Sequence, residues 1–341
     1  MRAIGIQGGD SRGDGVNALM NLEITAPAPE ARDLLVRVEG VSVNPLDIRM
    51  RSARSQPSGP RILGWDAAGT VVGVGSAVTL FQPGDRVFYA GSINRPGSNA
   101  ELHLVDERIA GSMPATLDFA QAAALPLASL AAWEALFERL NISSAGQDAG
   151  RTLLVIGGAG GVGSIAIQLA KVVAGLRVIA TGSHDASQAW CRQLGADLVI
   201  DHGADLAPQL AAHGIKSVDY ILCLAAPDRY FSTMARMIAP QGHICALVES
   251  AAALPMNELR AKSASFSWEG MFTRSLYNTH DLIEQHHILN RVAGLVDSGH
   301  LRHTARKVFH PIDADNLRQA HALVEAGGIV GKVVLSAQPH S

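Results

Sequence analysis

The sequence predicts an α/β fold in two parts: a parallel-sheet domain in the second half, and an antiparallel, barrel-like β domain built from the first third plus the tail. Three observations carry this. Up to about residue 125 the chain is a series of short β-type runs broken by turn residues. From about residue 126 apolar strands alternate with amphipathic helices, the rhythm of a parallel sheet covered on both faces. Between those helices and strands, LLVIGGAGGVGS (153–164) ends an apolar strand in five glycines among the seven residues 157–163.

In the first part the β runs are LLVRVEGVSV (34–43), AAGTVVGVG (67–75), RVFYAG (86–91) and AELHLVDE (100–107), punctuated by PGD (83–85) and RPGSN (95–99). Short strands at this spacing suit a compact barrel. GGDSRGDG and ARSQPSGPR are polar and rich in Gly and Pro, and are expected as surface loops. In the second part SLAAWEALFERL and SIAIQLAKVV have helical period, while TLLVIGG, RVIATG, LVID, VDYILCLA and HICALV read as strands. QAWCRQLG, LAPQLAAHG and YFSTMARMIAPQG are further helices, each followed by a glycine stop. HDLIEQHHILNRVAGLVDSGHL is a long amphipathic helix whose adjacent His286 and His287 cannot face one ligand. RKVFHPI and GIVGKVVLS return to β character around the helical DADNLRQAHALVEAGG, so the tail is expected to rejoin the first domain. The expected division is 1–126 with 303–341 for the β domain, and 127–302 for the parallel-sheet domain.

Composition narrows the function classes. The 341 residues are 48% hydrophobic and 17% charged, with a formal net charge of −3. Such a balance gives no support for nucleic acid or an anionic membrane as partner, and leaves a small molecule. No apolar stretch reaches the roughly 18 residues that span a bilayer. MRAIGIQGGDSRGDG lacks the apolar core of a secretory signal, and a cytoplasmic setting is expected. Cys191, Cys223 and Cys245 have neither metal-ligand spacing nor disulfide arithmetic, and read as small buried hydrophobes.

The glycines have a specific use. Gly158-x-Gly160-x-x-Gly163 follows a strand and opens a helix, the context of a dinucleotide-binding turn. One glycine permits the tight turn, the next lets backbone approach a pyrophosphate, and the third lets helix lie close on strand. With Gly161 and Val162, the helix N-terminus then offers unpaired N–H groups and a positive dipole to the phosphates. NAD sites usually carry Asp or Glu at the end of the second strand, for the ribose 2′-hydroxyl. Here RVIAT ends in Gly182-Ser183. A 2′-phosphate would accept a hydrogen bond from Ser183, with His184 and Arg192 nearby, so NADP(H) is the expected cofactor; Asp185 is the residue that would serve NAD instead.

Taken together, VSVNPLDIR, ILGWDAAGTVVGVG, FQPGDRVFYAG, GSNAELHLVD, AAALPLASLAAWEAL, IGGAGGVGSIAIQLAK and GKVVL resemble, in this order and across nearly the whole chain, the medium-chain dehydrogenase/reductase superfamily. The resemblance is to its zinc-lacking quinone oxidoreductase branch, whose members are often called zinc-type alcohol dehydrogenase-like proteins. It implies a Rossmann cofactor domain and a GroES-like β-barrel catalytic domain. Zinc alcohol dehydrogenases hold catalytic zinc with a cysteine, a His-Glu pair and a second cysteine. In this chain those places read Asn44, Trp65-Asp66 and apolar Leu127, and the four-cysteine structural lobe is replaced by GSINRPGSN. No metal is expected.

The resemblance places Asn44 toward the nicotinamide, where its amide would donate to a substrate oxygen; a turn residue before Pro45 is the plain alternative. Asp47 would orient Asn44 or a water, or simply cap the turn. Trp65 would form a flat wall for a conjugated substrate, or be core. Phe272, Arg274 and Lys332 are cofactor candidates, from MFTRS and the closing GKVVL. Where the family commonly has Thr, this chain has Ala131, with Ser129 two residues earlier. The expected activity is NADPH-dependent hydride transfer to a quinone or other conjugated carbonyl or alkene, whose delocalised anion needs less stabilisation than an alkoxide. Alternatives are a low-activity dinucleotide-binding structural or redox-sensing protein, and a reductase or dehydrogenase of simple aldehydes and alcohols. A homodimer through the edge strand of the cofactor domain, taken as HICALV, is expected.

Overall fold

A computed structural model describes residues 1–7, 15–52 and 59–338, so GGDSRGDG and ARSQPSGPR fall largely outside the described residues. The chain divides into two units, Met1–Leu127 with Phe272–Ser341, and Ala128–Met271.

The first unit begins with β1 (Arg2–Ile6), β2 (Leu19–Glu23), β3 (Asp33–Val43), the short α1 (Pro45–Arg51), β4 (Arg61–Ile62), β5 (Ala67–Val74), β6 (Arg86–Tyr89), β7 (Leu102–Asp106), β8 (Ala110–Ser112) and α2 (Phe119–Ala123). Next, α3 (Pro126–Trp133) leads through a π-helical turn, Glu134–Arg139, into the second unit. There the elements are β9 (Thr152–Ile156), α4 (Gly161–Val172), β10 (Arg177–Thr181), α5 (Asp185–Gln193), β11 (Leu198–Ile200), α6 (Leu206–Ala212), β12 (Val218–Cys223), α7 (Pro227–Met237), β13 (Ile238–Ala246) and β14 (Ser265–Trp268). The chain then returns to the first unit with α8 (Thr273–Tyr277), α9 (Glu284–Asp297), β15 (Ala305–Phe309), α10 (Ala314–Ala326) and β16 (Lys332–Ser336).

In the first unit the main sheet runs β15-β16-β3-β5-β6-β8, with β7 on the other end of β3, and β2-β1-β4 form a small second sheet. The central strand is β3. Its first half alternates, with Val36 and Val38 inside and Arg37 outside, whereas Val41, Ser42 and Val43 are all buried. The change has a plain cause: the far half is flanked on both sides, Val43 opposite Val333 and Val41 opposite Ala67. That flanking brings residue 44, residue 66 and residue 332 into one neighbourhood.

All pairings in the second unit are parallel, in the order β11-β10-β9-β12-β13-β14. Renumbered within the unit this is 3-2-1-4-5-6, the doubly wound order, with its switch point between β9 and β12. Leu154, Ile156, Ile179 and Ile221 from the strands pack against Leu210, Phe231 and Met234 from the helices. The three cysteines are free and buried in this unit, and burial pushes the Cys191 thiol up to about 11 and those of Cys223 and Cys245 to about 12.

Three expectations change. The long helix, shortened to α9, belongs to the first unit rather than to the parallel-sheet domain, so the division falls at Met271/Phe272 and not at 302. The physical reason is polar: His286 donates through Nδ1 to the Ala110 carbonyl at 2.7 Å, and Asn290 accepts from the Ser112 N–H at 2.8 Å. Asp297 accepts from the N–H groups of Ala115 and Thr116. Second, HICALV is not the edge of its sheet, because β14 pairs outside it through Ile244–Phe266 and Ala246–Trp268. SFSW is too short and polar to register as a strand by pattern. Third, the helical run Phe119–Arg139 is long and apolar enough to cross a bilayer by length and composition, but 83% of its apolar window is buried in the protein.

Gly40 gives the first testable consequence. A Cβ there would be driven into the backbone carbonyl of Phe119, whereas a Cβ at Gly73 would meet only Leu35 side-chain atoms at 3.7 Å, ordinary contact. Gly40→Ala is expected to destabilise by about 1–3 kcal/mol, as overpacking against rigid backbone does. Gly73→Ala should lose well under that. Equal melting temperatures for the two variants would show that α2 gives way freely over β3.

Candidate functional site

In the first unit, four polar residues from three chain segments meet under cover. Asn44, Asp47, Asp66 and Lys332 are respectively 4%, 1%, 0% and 5% exposed. The Lys332 ammonium donates to Asp66 Oδ2 at 3.0 Å, to the Val43 carbonyl at 3.3 Å, and to Asn44 Oδ1. Asn44 Nδ2 in turn donates to Asp66 Oδ2 at 2.8 Å, and the Leu127 N–H donates to Asp66 Oδ1 at 2.8 Å. A buried carboxylate is tolerable only when paired and hydrogen-bonded, and this one has a cation and two N–H donors. Asp47, in the first turn of α1, accepts from the Asn44 backbone N–H at 2.7 Å, which fixes where the chain turns into the helix. Burial pushes its carboxyl up to about 7, with Lys332 opposing that rise. Trp65 lies in the core, 2% exposed, its indole N–H donating to the Ser92 carbonyl at 3.3 Å.

These residues do not fit a zinc ion. Zinc takes thiolate, imidazole or carboxylate ligands. Here an amide and an indole stand at residues 44 and 65, Asp66 already holds a lysine ammonium, and the other carboxylate of the cluster, Asp47, is bonded to the Asn44 backbone N–H. Among the described residues no group of three or more His, Cys, Asp or Glu side chains converges to hold a metal.

The second unit carries the glycine turn. Gly157 has φ 89°, a left-handed conformation that suits glycine, and its N–H donates to Thr181 Oγ1 at 2.9 Å. A Cβ on Gly163 would fall 2.5 Å from the Gly157 carbonyl oxygen and 2.7 Å from that of Gly158, so only glycine lets α4 lie this close to the turn. At Gly160 a Cβ would meet nothing nearer than 3.8 Å, leaving open space over the turn. Gly160 caps α4 without a side chain, and Ser164 is the first residue whose N–H finds an intrahelical acceptor, the Gly160 carbonyl. The N–H groups of Gly161, Val162 and Gly163 precede it and are the orphan donors of a helix start. This fits a dinucleotide pyrophosphate.

Other residues brace the turn that sequence reasoning missed. Trp190 Nε1 donates to Ser164 Oγ at 2.8 Å, and Thr181 Oγ1 hydrogen-bonds with His202 Nδ1 at 3.0 Å. A signal for Thr181 existed, since it ends β10 directly before Gly182, but nothing local announces Trp190 or His202. At the end of β10, Gly182 is buried and Ser183 exposed. His184 is occupied as the cap of α5, accepting from the Ser187 N–H at 3.2 Å. Arg192 donates to Gln188 Oε1 at 3.1 Å while Gln188 donates to the Gly182 carbonyl at 3.1 Å, which ties a cation to this strand end. Asp185 is exposed in the first turn of α5.

Two cofactor candidates have other partners. Lys332 is committed to Asp66 and Asn44, and Arg274 is 7% exposed with its guanidinium on Asp281, 3.0 Å from both Nε and NH2. Phe272 is half-buried against the core of the first unit. Ser129 is fully buried, its hydroxyl without a hydrogen-bond partner among the described residues, and Ala131 is 3% exposed.

Comparison with known proteins agrees with this layout. Residues 30–120 match the alcohol dehydrogenase GroES-like domain family, and residues 194–335 the zinc-binding dehydrogenase family. A zinc-type alcohol dehydrogenase-like protein of Staphylococcus aureus (strain MSSA476) is 43% identical over 311 residues, covering 91% of this chain and 92% of the relative. A solved Rhizobium etli CFN 42 protein, assigned as a zinc-dependent alcohol dehydrogenase, superposes with a TM-score of 0.93 at 46% identity, over 100% of this chain and 99% of its own. A quinone oxidoreductase of Pseudomonas syringae pv. Tomato DC3000 superposes with a TM-score of 0.82 at 25% identity, over 98% and 99%. With its GroES-like unit, its doubly wound unit and these relatives, the chain belongs to the medium-chain dehydrogenase/reductase superfamily of oxidoreductases, among the zinc-type alcohol dehydrogenase-like proteins.

Proposed function

We propose that this chain is an NADPH-dependent reductase of quinones, or of other conjugated carbonyls and alkenes, that works without zinc. The observation that carries the reading is the ammonium of Lys332 on Asp66, beside an amide at residue 44. With no Lewis acid to polarise a carbonyl, the strongest electrophilic group left is an N–H donor. Bound NADPH supplies the hydride; the chain's residues hold the cofactor and receive the charge that develops on the acceptor. The glycine turn and the first N–H groups of α4 would bind the pyrophosphate. Ser183, with Arg192 tied nearby, would take the 2′-phosphate. The second hydrogen on Asn44 Nδ2 would donate to the substrate oxygen, in a site with Trp65 behind it. A conjugated acceptor suits one modest donor because its anion is delocalised. The similarity to the Pseudomonas syringae quinone oxidoreductase supports the same class. We also propose a cytoplasmic homodimer paired along β14, the edge strand, where Trp268 is 48% exposed.

Four measurements test this reading. Metal analysis of the purified protein should find far less than one zinc per chain, and chelator should leave quinone reduction unchanged; stoichiometric zinc lost together with activity would defeat the metal-free mechanism. Ser183→Asp should weaken NADPH binding tenfold or more, since a charge-assisted contact is worth about 1.5–3 kcal/mol, while NADH binding holds or improves. Unchanged NADPH affinity would give the ribose end to other residues. Asn44→Ala should lower kcat per folded molecule by about 2–4 kcal/mol, the scale of one lost oxyanion donor, with NADPH affinity nearly constant. Its melting temperature should fall as well, because Lys332 and Asp66 each lose a partner; lowered stability with full kcat would leave Asn44 as a structural residue only. Light scattering at micromolar concentration should report a dimer, and a monomer would remove the β14 pairing.

A further inference from the structure

Lys332 has three N–H donors and spends all of them inside the protein, on Val43, Asn44 and Asp66. Its backbone is equally fixed: its N–H donates to the Thr304 carbonyl at 2.8 Å and its neighbour Val333 lies opposite Val43 across the β16–β3 pairing. Such a lysine has no donor left for a phosphate. What it does have is a defined effect on Asn44. The two ends of an asparagine amide are nearly the same shape, and only hydrogen-bond partners decide which way it points. At residue 44 the partners are of opposite and exclusive kinds. The oxygen faces an ammonium, which can only donate, and the nitrogen faces a carboxylate, which accepts at 2.8 Å. A flipped amide would set NH2 against a cation and oxygen against an anion. The orientation is therefore enforced at both ends, and one hydrogen of Nδ2 is left over in a constant direction.

We propose that Lys332 is a positioning residue for the reduction: an internal cation, paired with Asp66, that orients and polarises the Asn44 amide so that its remaining N–H is aimed at the developing oxyanion. The proposal rests on the reading of Asn44 as the donor. A cation on the amide oxygen draws electron density from the nitrogen and strengthens the N–H as a donor. Asp66 completes the device as counter-ion and as acceptor of the other hydrogen, itself held by the Leu127 N–H.

The test is a mutant cycle on the full chain, read as NADPH oxidation with an ortho-quinone and with an enone, alongside NADPH affinity and melting temperature. Lys332→Met should lower kcat by about tenfold or more with NADPH affinity within about twofold, and should cost almost nothing further in an Asn44→Ala background, because coupled residues are not additive. Lys332→Met/Asp66→Asn removes both charges and spares the fold an unpaired carboxylate; it should fold and still show the lowered kcat. Lys332→Arg keeps the charge but cannot aim three donors at three acceptors, and should recover melting temperature without recovering kcat. The proposal is overturned if the Lys332→Met loss persists in full in the Asn44→Ala background, if the charge-free pair folds with wild-type kcat, or if all three Lys332 variants fail to fold, which would mark the cluster as structural. A loss in Asn44→Ala with wild-type kcat in Lys332→Met would sink this inference alone. Full kcat in Asn44→Ala would sink the donor reading and this inference with it.

Discussion

A lysine ammonium and an aspartate carboxylate, both out of water, set the terms for the first unit of this protein. Removing two charges from solvent costs several kcal/mol per ion unless geometry and further hydrogen bonds compensate. At Lys332 and Asp66 the compensation is nearly complete, since every ammonium hydrogen has an acceptor and both carboxylate oxygens have donors. The pair is possible only because β3 is flanked at its far end by β16 on one side and β5 on the other. The same flanking buries residues 41–44 continuously and places the start of α1 at the cluster. Fold and site are one arrangement here: shift the register of β16 by one residue and Lys332 leaves the cluster for the opposite face of the sheet.

This pair also reconciles the relatives' zinc label with the residues. In this chain the acidic residue after Trp65 is held by a cation that is part of the chain, the Lys332 ammonium. A lysine cannot exchange with solvent, cannot be chelated and has no open coordination position, so it can neutralise and orient but cannot bind substrate oxygen directly. Under the proposed reaction that task falls to a neighbouring group, and Asn44, bonded to both members of the pair, is the proposed one.

The second unit is built on different principles. Its site is made of backbone: orphan N–H groups, a glycine held left-handed, and a glycine that admits helix against turn. Side chains act behind it, with Trp190 holding Ser164 and Thr181 holding Gly157. Because a backbone site depends on where Cβ atoms are missing, it leaves a strong trace in sequence. The cluster of the first unit depends on long-range strand pairing: its residues stand out one by one in the sequence, but their convergence does not.

That difference decides what could be read in advance. Local periodicity and residue type at single positions were enough for the two-part α/β architecture, the strand–turn–helix that would bind pyrophosphate, the Gly182-Ser183 that directly follows β10, and the residues other than zinc ligands at 44, 65 and 127. The sequence also led to Asn44, to Asp47 as its partner at the turn, and to Trp65, but not to the bonds of Asn44 with Asp66 and Lys332. Only the tertiary structure decided that Lys332 turns inward to Asp66 and Asn44, that Arg274 is spoken for by Asp281, that α9 packs with the first unit, and that SFSW, not HICALV, is the sheet edge. The separations differ: Asp281 is seven residues from Arg274 and Phe266 is 22 from Ile244, whereas His286 reaches back 176 residues to Ala110. Lys332 and Asp66 are 266 residues apart, and no local pattern encodes a contact that exists only once strands from both ends of the chain are paired.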